Sequence, residues 1–78
     1  MEVYEVYSSP GCTYCTQAYR LLEQNDKDYI SYDIVEDEDA LQLMRDNGFR
    51  TVPQIFCNGV YIGGFTDLAE HLKARKEG

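Results

Sequence analysis

The stretch EVYEVYSSPGCTYCTQAYRLL, residues 2–22, contains the change of hydrophobic period that decides the fold. Residues 2–7 are rich in β-branched and aromatic residues and predict a strand, which ends at the SSPG turn. Apolar side chains then recur at helical spacing, so residues 13–24 are predicted to form an amphipathic helix. Two cysteines, Cys12 and Cys15, lie where the strand gives way to the helix.

The chain then alternates again between strand and helix. Residues 29–34, YISYDI, alternate cleanly and predict a strand with Ile30, Tyr32 and Ile34 on one face. The VEDED run that follows places acidic residues at the positive end of a second predicted helix, and Gly48 is expected to end that helix.

The last third of the chain contains a hairpin signal and a third helix. In QIFCNGVYIG, two short apolar runs flank Asn58-Gly59, which favours a tight antiparallel turn. In GGFTDLAEHLKARKEG, residues 63–78, apolar side chains recur at helical spacing, and Thr66 or Asp67 is positioned to cap the helix start. The predicted order of elements is therefore βαβαββα.

This order predicts an α/β fold with a mixed sheet. The first βαβ unit requires a parallel pair of strands with a right-handed crossover, whereas the hairpin requires an antiparallel pair. We expect one domain over residues 1–78, with a four-stranded mixed sheet and helices on both faces. Sites in such folds form at the carboxyl ends of strands, which is where Cys12 and Cys15 lie.

Composition and charge limit the classes of function. The 78 residues carry a formal net charge of −7, which argues against a nucleic-acid partner because phosphate binding needs a basic face. No stretch approaches the roughly 18 apolar residues of a membrane span, and the N-terminus lacks the pattern of a signal peptide. We therefore expect a cytoplasmic protein with no membrane partner. We also expect a monomer.

Two cysteines this close can hold a metal, close a structural disulfide or exchange electrons. A tetrahedral zinc site would have to combine Cys12 and Cys15 with Cys57 and His71, although no second close pair exists. A structural disulfide across so short a loop would add little stability. We favour redox exchange, and we expect Cys57 to be a packing residue and His71 a surface residue of the last helix.

Position along the predicted helix gives the two thiols different roles. Cys12 lies at the helix N-terminus, where free amide N–H groups and the helix dipole stabilise a thiolate. Cys15 lies one turn further on and is expected to be more buried and protonated. We therefore predict that Cys12 attacks a disulfide and that Cys15 resolves the mixed disulfide that forms.

Three motifs, in this order and spacing, resemble the dithiol glutaredoxins: CTYC after the first strand, TVPQIF at residues 51–56 and GGFTDL at residues 63–68. The resemblance covers the whole chain. It implies a thioredoxin-like fold and a glutathione-dependent thiol–disulfide oxidoreductase, which reduces protein disulfides and glutathionylated proteins. A role as hydrogen donor to ribonucleotide reductase is a further implication.

The resemblance also implies a glutathione site. Pro53 would be a cis proline facing the cysteines, and the backbone of Val52 would pair with the cysteinyl part of glutathione. The helix start at Thr66 and Asp67 would receive the γ-glutamyl end, and Tyr14 would form an aromatic wall. The implied glutathione contacts are Tyr14, Thr51, Val52, Pro53, Gly64, Thr66 and Asp67.

The sequence departs from the family pattern at three places. Thr13 stands where the family often has proline, and Ser9 stands where it usually has a cation that contacts the glycine carboxylate of glutathione. No second-helix partner for that carboxylate stands out, and the candidates are Gln42, Arg45 and Arg50. Two alternatives therefore stay open: a redoxin recycled by thioredoxin reductase, and a dimer that bridges a [2Fe–2S] cluster with glutathione. No other metal is expected.

Overall fold

The computed structural model describes residues 2–75, and its elements follow the predicted order. The strands are β1 (Val3–Ser8), β2 (Asp28–Asp33), β3 (Gln54–Cys57) and β4 (Val60–Gly63). The helices are α1 (Thr13–Gln24), α2 (Glu38–Asp46) and α3 (Phe65–Arg75). Within the described residues, no helix combines the length and the apolar character needed to cross a bilayer.

The four strands form one mixed sheet in the order β2-β1-β3-β4. Strand β1 runs parallel to β2 and antiparallel to β3, and β4 pairs antiparallel with β3. The predicted thioredoxin-like architecture is thereby confirmed. Because β1 and β2 are parallel, their carboxyl ends lie at the same edge of the sheet, and the segments that follow them are neighbours.

The alternation of side chains along the strands divides the core into two layers. Tyr4 of β1 and Ile55 of β3 are fully buried beneath α1 and α3. Tyr7 of β1 faces the other way and packs with Ala40 and Met44 of α2. Helices therefore cover both faces of the sheet, as the sequence predicts.

Local turn signals end the elements where the sequence places them. Gly48 has φ +70°, and the N–H groups of Gly48 and Phe49 donate to carbonyls of the last α2 turn at 3.0 and 2.9 Å. This is the Schellman pattern of helix termination. Asn58 and Gly59 both have positive φ, 51° and 85°, as a type I′ hairpin turn requires.

Ile30 departs from the predicted pattern of β2. Tyr32 and Ile34 pack in the layer formed with α2, but Ile30 is 46% exposed. Helix α2 has only nine residues, and it packs near the carboxyl ends of β1 and β2. The amino-terminal part of this edge strand is therefore left uncovered on that face.

Candidate active site

The segment after β1 places Cys12 and Cys15 at the carboxyl edge of the sheet. The two cysteines form a disulfide, and their Cα atoms are 5.2 Å apart. Cys12 is the N-cap residue of α1, with extended backbone (φ −86°, ψ 108°), and the helix begins at Thr13. The predicted position of the first thiol at a helix N-terminus is confirmed.

Two backbone groups face the sulfur of Cys12. The Cys15 N–H donates to Cys12 Sγ at 3.1 Å, so the sulfur takes the place of the side-chain oxygen that usually caps a helix. In the reduced protein this bond and the helix dipole favour negative charge on the sulfur. The Val52 carbonyl oxygen lies 3.7 Å from the same sulfur, and it favours the protonated thiol instead. The position of the loop that carries Val52 therefore affects how readily Cys12 ionises.

The two sulfurs differ in their access to solvent. Cys12 is half-buried, whereas Cys15 is only 2% exposed. An external disulfide can therefore reach Cys12 first, while Cys15 is held one helical turn away, where it faces the Cys12 sulfur. This arrangement is the one that the predicted order of attack requires.

A groove of about 230 Å³ lies beside the start of α1. It forms where three segments meet: the first turn of α1, the loop of residues 51–53, and the junction of β4 with α3. The Val52–Pro53 peptide bond is cis, as the resemblance implies. The groove brings together all seven residues that the resemblance assigns to glutathione and adds Phe65; its lining is Tyr14, Thr51, Val52, Pro53, Gly64, Phe65, Thr66 and Asp67.

Tyr14 and Phe65 form the aromatic side of this groove. Their ring centroids are 5.9 Å apart, and Tyr14 is 59% exposed, as expected of a wall residue. Phe65 also packs against the main core. Helical periodicity assigns Phe65 only to the apolar stripe of α3 and does not reveal its place in the groove.

The start of α3 differs from the predicted cap. The helix begins at Phe65, so Gly64 occupies the N-cap position instead of Thr66 or Asp67. Asp67 lies in the first turn and folds back, and its Oδ2 accepts a hydrogen bond from the Gly64 N–H at 3.1 Å. This bond is one half of a capping box. Glycine has no side chain that could accept a hydrogen bond at the helix start, so the Asp67 carboxylate supplies an acceptor there. The Asp67 side chain remains exposed at the groove.

Among residues 2–74, whose side chains the structure describes, no lysine or arginine lines the groove. Ser9, which stands in place of the family's usual cation, lines a separate hollow of about 440 Å³. Gln42 and Arg45 lie on α2, and Arg50 is exposed in the segment that follows α2. The N–H groups at the start of α3 are groups at this groove that could donate to a carboxylate.

Tyr19 connects α1 to the strand end from which the cysteine loop departs. Its hydroxyl donates to Ser8 Oγ at 2.7 Å and lies 2.6 Å from Ser31 Oγ. Ser8 ends β1 and Ser31 belongs to β2, so one hydroxyl group links the helix to both parallel strands. This network fixes the sheet edge behind the disulfide.

Cys57 and His71 lie together, away from the disulfide. They line one hollow, whereas Cys12 and Cys15 line another, so the four candidate zinc ligands do not converge. Among the described residues, no three side chains of the metal-binding types are grouped to hold an ion. Cys57 packs against the main core, as predicted.

The prediction that His71 is a surface residue is wrong. The side chain is half-buried, and its ring packs edge-on against Tyr4, with centroids 5.9 Å apart. Its Nε2 atom is buried and has no hydrogen-bond partner in the part of the chain that the structure describes. Helix α3 lies over the sheet with this side facing β1. The helical periodicity of apolar residues does not reveal that a histidine lies on that side.

Two residues that no sequence motif singles out, Gln54 and Tyr61, lie behind the groove loop and support it. Gln54 Nε2 donates to the carbonyl oxygen and to Oγ1 of Thr51, at 3.0 and 3.2 Å. The Tyr61 hydroxyl in turn donates to Gln54 Oε1 at 2.7 Å. A glutamine directly after the TVP motif is a weak local signal, because strand alternation predicts the face of Gln54 but not its bonds.

A glutaredoxin family model matches residues 4–62 of the chain. The chain belongs to the glutaredoxin family. This family member is 39% identical over 70 residues to a glutaredoxin of Neisseria meningitidis serogroup A, over 87% of this chain and 82% of that protein. It is also 39% identical over 66 residues to human mitochondrial glutaredoxin-2, over 80% of this chain but 40% of the human protein. The chain thus spans about two fifths of the length of that mitochondrial relative.

The fold of this glutaredoxin family member is similar to that of a solved buckwheat glutaredoxin–glutathione complex. The TM-score is 0.78 at 31% sequence identity, and the match covers 94% of this chain and 70% of the buckwheat chain. The Cys12–Cys15 pair of this glutaredoxin family member is consistent with a dithiol site.

Proposed function

We propose that the chain is a dithiol oxidoreductase that takes electrons from glutathione and reduces protein disulfides and glutathionylated proteins. The observation that carries this proposal is the groove beside the start of α1, whose lining includes all seven residues that the family resemblance assigns to glutathione. The structurally similar buckwheat protein was solved in complex with glutathione, which supports the same ligand for this groove.

Each part of glutathione has a chemical counterpart in the groove. The γ-glutamyl carboxylate would lie at the N-terminus of α3, where the first N–H groups have no helical acceptor, and its ammonium group would lie at the exposed Asp67 carboxylate. The cysteinyl part of glutathione would pair with the backbone of Val52. This pairing would bring the glutathione sulfur toward Cys12. Tyr14 and Phe65 would cover the ligand on one side.

A glutathionylated protein needs only the first thiol. The Cys12 thiolate attacks the glutathione sulfur, the bond between glutathione and the protein breaks, and the protein thiolate leaves and takes up a proton. Cys12 is then joined to glutathione. The thiolate of a second glutathione attacks the glutathione sulfur of this disulfide, which releases oxidised glutathione and restores the Cys12 thiolate.

A protein disulfide needs both thiols. Cys12 attacks one protein sulfur and forms a mixed disulfide, and the other protein sulfur leaves and is protonated. Cys15 loses its proton and attacks Cys12 Sγ, so that the Cys12–Cys15 disulfide forms and the protein leaves as a dithiol. Two glutathione molecules then reduce the pair and become one molecule of oxidised glutathione.

The test couples turnover to either of two reductases. We expect NADPH oxidation to require glutathione and glutathione reductase, with a high KM for the glutathionylated substrate because no cation among the described residues lines the groove. One missing charge-assisted hydrogen bond, about 1.5–3 kcal/mol, weakens binding by about 10- to 150-fold. Turnover with thioredoxin reductase and none with glutathione would overturn the proposal in favour of the redoxin alternative.

The proposal extends to the state and surroundings of the protein. We propose that the protein works in a reducing compartment, with the cytosol as the expected location, because thiol exchange of this kind needs a pool of reduced glutathione. We also propose that it is a monomer and that ribonucleotide reductase is among its targets. Light scattering tests the monomer. A dimer that loses visible absorbance when glutathione is removed would support the [2Fe–2S] alternative instead.

A further inference from the structure

We propose that Gln54 and Tyr61 are positioning residues that hold the substrate-binding loop of residues 51–53 in place. The inference rests on the proposed function, because it assigns the loop to glutathione binding. It goes beyond that function in assigning a role to two side chains that do not line the groove.

The orientation of the Gln54 side chain is fixed by its partners. Gln54 is 7% exposed, and the Thr51 carbonyl oxygen, 3.0 Å away, can only accept a hydrogen bond. The atom that faces Thr51 is therefore Nε2, which also donates to Thr51 Oγ1 at 3.2 Å. The carbonyl end, Oε1, is left to accept the Tyr61 hydroxyl at 2.7 Å. Every polar atom of this buried side chain thus has a partner.

Tyr61 extends the chain of hydrogen bonds to the edge strand β4. Its ring stacks on Phe49 with centroids 4.9 Å apart and packs edge-on against Phe56 at 5.3 Å. These contacts hold the hydroxyl in place although the residue as a whole is 48% exposed. The loop is therefore braced through Gln54 against an aromatic cluster on the α2 side of the sheet.

The braced atoms are those that a ligand would meet. Thr51 and Val52 line the groove, and the Val52 carbonyl lies 3.7 Å from Cys12 Sγ. Because Thr51 Oγ1 accepts from Gln54, the hydroxyl keeps its own proton available for a ligand acceptor. A displaced loop would pair less well with the ligand backbone, which weakens binding.

The first experiment removes one hydroxyl and keeps the ring. Tyr61→Phe leaves the stacking on Phe49 but frees Gln54 Oε1, and we expect KM for a glutathionylated peptide to rise by about 2- to 10-fold with little change in kcat. The matched control is Tyr29→Phe, which deletes a hydroxyl bonded to Glu23 at the same distance of 2.7 Å. The control is expected to keep the wild-type KM.

The second experiment reverses the defect with pH. In Gln54→Glu the ionised carboxylate cannot donate to Thr51, so KM should rise by about 10-fold or more at neutral pH. At low pH the neutral carboxylic acid regains one donor, and burial raises its pKa above the ordinary value of about 4.3. The ratio of mutant to wild-type KM should therefore fall as the pH is lowered toward about 5. Gln24→Glu, an exposed site on α1 with the same change of charge, should show a ratio that does not vary with pH.

The outcomes separate this inference from the proposed function. If the wild type turns over with glutathione but both variants keep its KM, the positioning role is wrong and the proposed function stands. If the variants lose free energy of unfolding with no change in KM, the bonds are merely structural and the inference is again wrong. If the wild type itself ignores glutathione, the proposed function fails. A raised KM for Gln54→Glu that recovers on acidification supports the positioning role.

Discussion

Cys12 and Cys15 differ by one helical turn and by their burial, and serine variants should separate their roles. Cys12→Ser is expected to abolish both deglutathionylation and protein-disulfide reduction, because it removes the accessible nucleophile. Cys15→Ser should keep deglutathionylation and lose protein-disulfide reduction, since only that reaction needs a second thiol. Two assays, with a glutathionylated peptide and a protein disulfide, check this, and Cys57→Ser is the control that should keep both. Equal loss in both cysteine variants would contradict the assignment.

Gly63 determines how closely β4 approaches the first turn of α3. Its φ is +133°, and a Cβ there would lie 2.7 Å from Asp67 Cγ. Gly63→Ala should therefore displace the Asp67 carboxylate, cost about 1–3 kcal/mol of stability and raise KM for the glutathionylated substrate. At Gly64 a Cβ would meet only the Pro53 carbonyl oxygen at 3.6 Å, an ordinary contact, so Gly64→Ala should be much less destabilising. Denaturant midpoints of the two variants check this, and equal midpoints would contradict it.

Tyr29 gives the fold a dependence on alkaline pH. The hydrogen bond from its hydroxyl to Glu23 raises the pKa of Tyr29 to about 12, and burial and the Glu23 charge act in the same direction. Because the folded pKa is above the unfolded value of about 10, this contribution to stability is complete below about pH 10 and is lost as the pH rises toward about 12. The Tyr29→Phe variant should lose stability less steeply over that interval. Denaturant midpoints at several pH values test this, and parallel curves would contradict it.

The N-termini of helices α1 and α2 are capped by different chemical groups. Helix α1 uses the sulfur of Cys12, whereas α2 uses the Asp37 carboxylate, which accepts from Asp39 N–H and Ala40 N–H at 3.0 and 3.1 Å. A sulfur is a weak acceptor while it is neutral, so the capping bond of α1 strengthens when Cys12 ionises. The same bond thus serves the helix and the chemistry of the thiol.

Removal of the α2 cap tests whether this nine-residue helix depends on it. Asp37→Ala leaves two N–H donors without their partner and should cost about 1 kcal/mol in free energy of unfolding. Glu36→Ala removes the same charge one residue earlier, at an exposed position, and should cost much less. Urea unfolding of both variants provides the comparison, and a loss of equal size in the control would assign the effect to charge instead of capping.

The molecule as a whole is acidic, with a net charge of −7, and part of that charge lies near the redox pair. The carboxyl end of β2 pairs beside that of β1, from which the cysteine loop departs. The last residue of β2 and the segment that follows it contribute five carboxylates to this edge of the sheet: Asp33, Glu36, Asp37, Glu38 and Asp39. The long-range field at this edge should therefore attract basic substrates and slow the approach of acidic ones.

Matched peptide disulfides flanked by lysine or by glutamate test this field. At low salt we expect kcat/KM to favour the basic peptide by about tenfold or more, because steering acts on the rate of encounter. The preference should shrink at high salt, since the screening length falls from about 30 Å at 0.01 M to about 3 Å at 1 M. A ratio near one at low salt, or a ratio that salt does not change, would contradict the prediction.

Neighbouring residues in the chain were enough to predict the order of elements, the hairpin at Asn58-Gly59 and the position of Cys12 at a helix start. Period, turn chemistry and helix termination act over a few residues, so the sequence carries them directly. The seven groove residues were predicted from the resemblance of three motifs, since no spacing rule connects residues 14, 51–53, 64, 66 and 67.

Contacts between distant parts of the chain decided the rest. The bonds of Gln54 to Thr51 and Tyr61, the burial of His71, the exposure of Ile30 and the place of Phe65 in the groove all depend on how helices cover the sheet. Local patterns predict which face a side chain occupies, but only packing brings that face to a particular partner. For this protein the sequence therefore specified the reactive thiols, and the tertiary structure specified the surface that would present a substrate to them.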